Sequence, residues 1–535
     1  MKKIIFSVVI SIICSLDPVH NFALPHEGLF KLDLIHYNDF HARFEETSLE
    51  TPVCRTNDSE CFGGFARLAY GIKELKKEKP NSLLLNAGDS FQGTYWYTLL
   101  KWDITQEFLN LLPHDAHAIG NHDFDDGPEG LAPFLMALNA PTVSANIDSS
   151  KEPVLNGLYT PYVIVERDNR KIGIIGITTT TSKILAPTGN VEFFDPMEAA
   201  SREAKNLSDL GVDIIILLSH CGYDEDMQIA REYGKNIDII VGGHSHRDER
   251  FPIPYLTQVK TIGDDDHEVI VVQASAFTKI LGNISIYFDC FGDIVTFEGG
   301  PIFLDRSVPE DEETKQKLAP YAKLVHESEA QAIGFNQITL SHKDCAYGEC
   351  ALGNLLADAI NDYVKKTLKP KYDCISLIQR SNIRTGLVKG PITQGSLIEL
   401  FPYRDFLETY ELKGRYLLDV LEKSVSDATF NPFTAPWLLQ ISGLRVVYNV
   451  SLPEGQRVIS VYIGDKYSET PLDIGKYYQI SAPAYLANGG DGYDMLSGHA
   501  RNLQVLDSDQ NALLLYITQY TPLRIEPDKR IVITS

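Results

Sequence analysis

Seven apolar runs rich in Val, Ile and Leu recur before residue 300: FKLDLIHY (30–37), SLLLNAG (82–88), AHAIG (116–120), KIGIIGIT (171–178), DIIILLSH (213–220), IDIIVGGH (237–244) and EVIVVQAS (268–275). Continuous runs of this length suit strands covered on both faces. Helical periodicity separates several of them, as in FARLAYGIKELKKE (65–78) and PMEAASREAKNLSDLG (196–211). The alternation predicts an α/β domain with its sheets in layers. Residues 308–332 are highly charged and helix-prone, with Pro320 as an interruption, and predict a solvated connecting helix at a domain boundary. Beyond it, helical patterns (351–366, 413–428) mix with short strands (444–450, 457–463, 477–481), with no repeat and no low-complexity tract.

Polar residues interrupt this pattern at the strand ends. The first run is followed by Asp39 and His41, the second by Asp89, and the third by Asn121, His122 and Asp125; the fifth ends in His220, and the sixth runs into His244 and His246. Carboxyl ends of α/β strands are where such sheets place ligands. A lone D-x-H or a strand-end His is most simply structural; five such pieces in order are not. The set offers about seven ligands, too many for one tetrahedral ion. Two ions about 3.5–4 Å apart sharing a carboxylate would use them. Mixed imidazole and carboxylate donors suit Zn²⁺ or Mn²⁺ better than an oxygen cage for Ca²⁺, with Ca²⁺ or Mg²⁺ left open as the ion in use.

Composition narrows the class. The chain of 535 residues carries a net charge of −24 and has no long Lys/Arg run, which argues against a nucleic-acid partner. Lys2 and Lys3 precede IIFSVVISIICSL, the pattern of a secretory signal with cleavage near Ala23. No other stretch is long enough to span a bilayer, and the polar EPDKRIVITS terminus lacks a lipid-anchor signal. Cysteine usage fits an oxidising compartment: Cys54 with Cys61 and Cys345 with Cys350 predict two small-loop disulfides, leaving Cys221, Cys290 and Cys374 with at least one free thiol. Glycosylation sequons fall at Asn57, Asn206, Asn283 and Asn449.

The ordered set D-x-H, GD, GNHD, SH and GHSH resembles the dinuclear metallophosphoesterases. NDFHARFEET, GDSFQGT, GNHDFDDGPEGL and VGGHSH in the first half, with GECALGNLLADAI, ELKG and YLANGGDGY in the second, extend the resemblance to the secreted 5′-nucleotidase/apyrase family, most of all to salivary apyrases of blood-feeding arthropods. The resemblance implies a four-layered α/β/β/α metallophosphoesterase domain (24–307) after the signal (1–23), a connecting helix (308–334) and a C-terminal α/β nucleotide-binding domain (335–535). It implies that Asp39, His41 and Asp89 hold a first metal with His246 close by, that Asp89 bridges, and that Asn121, His220 and His244 hold the second. His122 is then a catalytic histidine backed by Asp125. A protonated imidazole beside the metals can stabilise a phosphoryl transition state, and the carboxylate can fix its tautomer. Tyr403 and Tyr485 match the aromatics that sandwich the base, Asp491 the ribose ligand, and Arg384 a phosphate ligand, with Gln379 beside it.

Two departures bear on substrate choice. QRSNIR (379–384) stands where many relatives have NGGGIR, which adds Arg380, and Ala346 stands where the family has a phosphate-binding Arg. The paired change predicts a preference for ADP and ATP over AMP, with Arg380 on the phosphate chain. The implied activity is a secreted, unanchored, monomeric apyrase that converts ATP and ADP to AMP and so suppresses platelet aggregation. The alternatives are a 5′-nucleotidase that takes AMP to adenosine, and a catalytically silent protein that binds nucleotides or a receptor.

Overall fold

Which faces the strands bury decides how the layers stack. The computed structural model describes residues 28–48, 54, 60–246, 258–262, 267–383, 385–401, 404–426, 438–464 and 469–534. Asn57, Arg384 and Tyr403 lie outside them.

In the first half, Phe30–Tyr37, Leu83–Asn86, Ala116–Ala118 and Thr142–Val143 run parallel, with the antiparallel strands Ile280–Phe288 and Ile294–Gly299 on one flank. A second sheet has Arg170–Thr178, Ile214–His220, Ile239–Gly242 and Glu268–Gln273 in parallel, edged by the antiparallel Tyr162–Arg167 and Gln258–Ile262. One face of each sheet packs on the other through Leu34, Leu85, Ile174, Ile216, Val241 and Ile270. Each such side chain contributes about 1.5–3 kcal/mol by leaving water. The outer face of the first sheet is covered by Phe65–Glu78, Tyr95–Leu109, Gly127–Ala137 and the long helix Glu312–Glu329, that of the second by Pro196–Asp209 and Tyr223–Gln228. The result is an α/β/β/α stack. Capping is local: the Asp195 side chain accepts from Met197 N and Glu198 N (2.8 and 3.0 Å), with Pro196 at the first helical position.

The helix Glu312–Glu329 is continuous through Pro320, so the interruption expected there is absent. The proline removes one backbone donor, but the helix holds on through Leu318 and Val325, buried beneath it. The second half builds a five-stranded sheet in the order Leu439–Ser442, Cys374–Gln379, Tyr477–Pro483, Phe406–Lys413, Arg501–Ser508, and a four-stranded sheet containing Leu444–Asn449 and Val458–Ile463. The helices Ala351–Leu368 and Asp509–Tyr520 pack together against the first of these. Cys54–Cys61 and Cys345–Cys350 are disulfides, and Cys221, Cys290 and Cys374 form no disulfide among the described residues.

Candidate metal centre

The loops that leave the parallel strands converge at one end of the two-sheet stack. Asp39 and His41 follow Phe30–Tyr37, Asp89 follows Leu83–Asn86, and Asn121 follows Ala116–Ala118; His220 ends its own strand, and His244 and His246 follow Ile239–Gly242. Ligand atoms of Asp39, His41, Asp89 and His246 lie within 4.8 Å of one another, as do those of Asp89, His220 and His244. Asp89 belongs to both groups.

The backbone is bent to make this happen. Asp39 (φ 50°), His41 (49°), Asp89 (54°), His244 (72°) and His246 (46°) all sit in the left-handed region that side-chain-bearing residues avoid. Such strain persists where the surroundings over-determine it, and it clusters at functional sites. Two glycines make the approach sterically feasible. A Cβ on Gly120 would run into the Asp89 carboxylate, and one on Gly243 would lie 2.8 Å from Ala87 O and 2.9 Å from His220 Nδ1.

Hydrogen bonds aim the donors. His41 Nδ1 donates to Phe91 O (3.0 Å) and His220 Nδ1 to Ala87 O (2.6 Å), which turns both Nε2 atoms inward. Asp89 Oδ2 lies 3.0 Å from His220 Nε2 and 3.6 Å from His41 Nε2, so one carboxylate oxygen faces both groups. Asp89 Oδ1 is occupied, accepting from His122 N at 2.9 Å. Asp39 Oδ2 accepts from Asn38 Nδ2 (2.6 Å) and His244 N (3.0 Å). Asn121 Oδ1 is buried with no hydrogen-bond partner, and Asp39 Oδ1 and His220 Nε2 face only other members of the cluster, His246 Nε2 at 2.8 Å and Asp89 Oδ2 at 3.0 Å. Buried donors to a Lewis acid that converge on one another are what a divalent cation requires and what a structural polar network avoids. The residues therefore fit a divalent metal site, in keeping with the metallophosphoesterase domain of this chain.

The electrostatics agree. Burial alone would raise Asp39 and Asp89, yet the neighbouring imidazoles, His246 and His220 foremost, hold both carboxyls well below the usual range. Burial depresses His41 and His244 to about 4, leaving neutral imidazoles suited to ligation. Two imidazoles differ: burial would lower both, but the charges of Asp89 and Asp39 push His220 up to about 9, and those of Asp125 and Asp89 push His122 up to about 10. His122 Nδ1 sits 3.0 Å from Asp125 Oδ2, and its ring lies beside that of His41, centroids 5.2 Å apart.

A cleft of about 1210 Å³ opens over this centre. Asp89, Asn121, His122, His244 and His246 line it from the first half of the chain, and Gln379, Ser381, Asp405, Tyr485 and Asp491 from the second. Ser381 Oγ donates to Asp491 Oδ2 (2.5 Å), and Tyr485 Oη to Asp491 Oδ1 (3.3 Å). Arg380 is half-buried and is not among the described lining residues, although Gln379 and Ser381 on either side are. Ala346 is buried within the Cys345–Cys350 loop. Of the sequons, Asn206 is exposed on a helix, Asn283 accepts from Lys79 Nζ (2.7 Å) within a strand, and Asn449 ends the strand Leu444–Asn449 and accepts from Ser451 N (3.0 Å).

Four residues that the sequence reading passed over complete the site. Asp123 Oδ1 accepts from Ser90 N (2.9 Å) and Phe91 N (3.3 Å), and its Oδ2 from Gly120 N (2.8 Å), so it ties the Asp89 loop to the Asn121 loop. Asn38 takes Ala274 N (2.8 Å) on its Oδ1, joining the two sheets beneath Asp39. Phe277 packs on His41 and His246 (centroids 5.5 and 5.1 Å), with the Arg43 guanidinium over its ring at 4.5 Å. Asp123 and Arg43 stood inside GNHDFDD and NDFHARF, where each read as a neighbour of a ligand; Phe277 carried no signal at all.

Comparison with known proteins gives a consistent result. Residues 32–248 match the calcineurin-like phosphoesterase family and residues 328–498 the 5′-nucleotidase C-terminal domain. The chain is 37% identical to an apyrase of Tabanus yao (99% of each chain) and 38% to one of Anopheles gambiae (100% of this chain, 97% of the relative). It is 34% identical to human 5′-nucleotidase over 92% of this chain and 89% of that one. Among solved structures it superposes on a 5′-nucleotidase precursor from Thermus thermophilus with a TM-score of 0.74 and 33% identity, covering 94% of this chain and 99% of the other.

Proposed function

Because the chain belongs to the 5′-nucleotidase/apyrase family and is a phosphohydrolase of that type, we propose that it is an apyrase, hydrolysing ATP and ADP to AMP and phosphate at a dinuclear metal centre. The observation that carries the reading is the Asp89 carboxylate shared by two ligand groups at the floor of a cleft both halves of the chain line.

In this reading Asp39, His41, Asp89 and His246 hold one ion and Asp89, Asn121, His220 and His244 the other, with Zn²⁺ or Mn²⁺ favoured by the donor set. When bound, the pair supplies Lewis-acid charge stabilisation and a water made nucleophilic near neutral pH. The rest is done by the chain. His122 holds a proton on the imidazole face toward the cleft, anchored through Nδ1 to Asp125, and places positive charge where the phosphoryl oxygens gain negative charge. Tyr485, together with Tyr403, stacks the base, Asp491 accepts from the ribose hydroxyls, and Gln379 and Arg384 orient the remainder. We assign residues 24–307, 308–334 and 335–535 to catalytic domain, connecting helix and nucleotide-binding domain. The N-terminal apolar segment, two disulfides and sequons support secretion as a glycosylated protein, where removal of ADP would oppose platelet aggregation; among the described residues no helix is long and apolar enough to cross a membrane.

The test is phosphate release from ATP, ADP and AMP measured separately. Turnover of ATP and ADP that stops at AMP supports the reading. Adenosine as the main product assigns the chain to AMP hydrolysis instead, and nucleotide binding with no phosphate release with any divalent ion would make it a silent binder.

A further inference from the structure

Strand topology gathers an unusual surface at one end of the five-stranded sheet. The strand Phe406–Lys413 ends there, and its antiparallel neighbours Tyr477–Pro483 and Arg501–Ser508 begin there, as does Cys374–Gln379. Gly414 N donates to Lys476 O (2.9 Å) and Arg415 N to Ile474 O (3.0 Å), so the following helix starts at the same end. This places Lys371, Lys413, Arg415, Lys476 and Arg501 together in a chain whose net charge is −24.

Aromatic rings lie between the cations. The Arg501 guanidinium stacks 3.3 Å from the Tyr477 centroid, Lys413 lies 5.4 Å from the same ring, and Tyr372 is 6.4 Å away from it. Lys371 sits 5.2 Å over Tyr372, and Arg415 5.2 Å over Tyr416. Four carboxylates lie at this end or within one helical turn of it, Asp419 following Arg415 by one turn of the helix Gly414–Ser424. Asp373 pairs with Lys476 (2.8 Å), Glu411 with Arg501 (2.6 Å), and Asp473 accepts from Gly475 N (2.8 Å). Lys371, Lys413 and Arg415 make no ion pair with a described carboxylate, and Lys371 and Arg415 are exposed. A local excess of unpaired cations on an acidic protein is an electrostatic footprint for an anionic partner.

We propose that this strand-end patch docks a linear sulfated polysaccharide. Its sulfates meet the Lys371, Lys413 and Arg415 side chains, and its sugar rings meet the half-buried tyrosine edges. A thin chain senses only the strip, because surface charges more than about 8 Å away are screened at physiological ionic strength. An anionic membrane plane would also face the acidic surroundings and be repelled. The other end of the same sheet, where Phe406 follows Asp405, borders the cleft, and eight residues of strand separate the two by about 24–27 Å. Docking therefore leaves nucleotide access open and would hold the enzyme at a polysaccharide-bearing surface.

The test titrates the full chain with a heparin fragment at physiological ionic strength, and separately with vesicles rich in phosphatidylserine. The combined variant Lys371→Gln, Lys413→Gln, Arg415→Gln is compared with Lys205→Gln, Lys317→Gln, Lys389→Gln, which changes net charge equally at exposed sites elsewhere. The proposal expects heparin binding that weakens with salt, at least roughly tenfold loss in the patch variant, little loss in the control variant, and unchanged melting temperature in both. Absence of heparin binding, equal losses in the two variants, or tighter binding to the vesicles than to heparin would overturn it. None of these readouts depends on which nucleotide is hydrolysed.

Discussion

The two halves that face each other across the cleft are built on opposite plans. On the side of the candidate metal centre, donors hang from the ends of buried parallel strands, with Asp39, His41 and His220 fully buried and the His41 and His220 rings oriented by backbone hydrogen bonds at Nδ1. On the opposite side, Tyr485 is 42% exposed and Asp491 is held by side chains from its own neighbourhood, Ser381 and Tyr485. Metal chemistry tolerates little positional error, so it sits on a rigid scaffold. The side chains proposed to recognise the organic ligand sit instead on single helical turns, Tyr485 in Ala484–Ala487 and Asp491 in Gly490–Gly492. Substitutions in the first half should therefore act steeply on rate, and those in the second should act by degrees on selectivity.

The steepest effect belongs to Asp89→Asn. An amide cannot supply the shared negative charge that faces both ligand groups, so metal content should fall at both sites and turnover by several orders of magnitude. Elemental analysis giving two tightly held ions with a near-normal rate would break the contrast at its root. His122→Ala comes next. It should keep the metals and lose about 10²–10⁴-fold in rate, the range for a positioned acid–base or charge-stabilising group. Metal loss equal to that of His220→Ala would make His122 a ligand instead.

Asp123→Asn sharpens the scaffold side. Its carboxylate accepts three backbone N–H groups, and an amide must turn a donor toward one of them. The cost should be about 1–3 kcal/mol, read as a lower melting temperature together with a lower kcat at unchanged KM. Arg380→Ala should be the mildest. Since Arg380 does not border the cleft among the described residues, the ratio of ADP to AMP turnover should move by no more than about twofold. A larger shift would restore it to the phosphate chain.

The same contrast governs what could be read from the chain itself. The candidate ligands were legible because each closes or closely follows an apolar run, and a strand end followed by Gly and a donor is a short-range pattern. GNHDFDDG disclosed Asn121, His122 and Asp125 together for that reason. The helix Phe65–Glu78 was equally plain from its periodicity. Asp123 was hidden by its company, because nothing in the sequence separates a ligand from the carboxylate that holds the ligand loop. Phe277 belongs to a loop whose only distinction is backbone geometry, with Ser275, Phe277 and Thr278 all at positive φ. The antiparallel edge strand Tyr162–Arg167 carries only a four-residue apolar run, YVIV, and buries none of its residues fully, so it stood out less than the longer, fully buried runs beside it. The helix through Pro320 went the other way: tertiary contact overrode a local breaking signal.

The most direct test of the dinuclear assignment is metal stoichiometry measured with activity in one preparation. The enzyme would be stripped with chelator, then titrated with Zn²⁺ or Mn²⁺ while ion content and phosphate release from ADP are followed together. The account predicts no turnover after stripping, and recovery that tracks occupancy and saturates at two ions per chain. Full activity at one ion per chain, or activity that survives complete removal of metal, would contradict it.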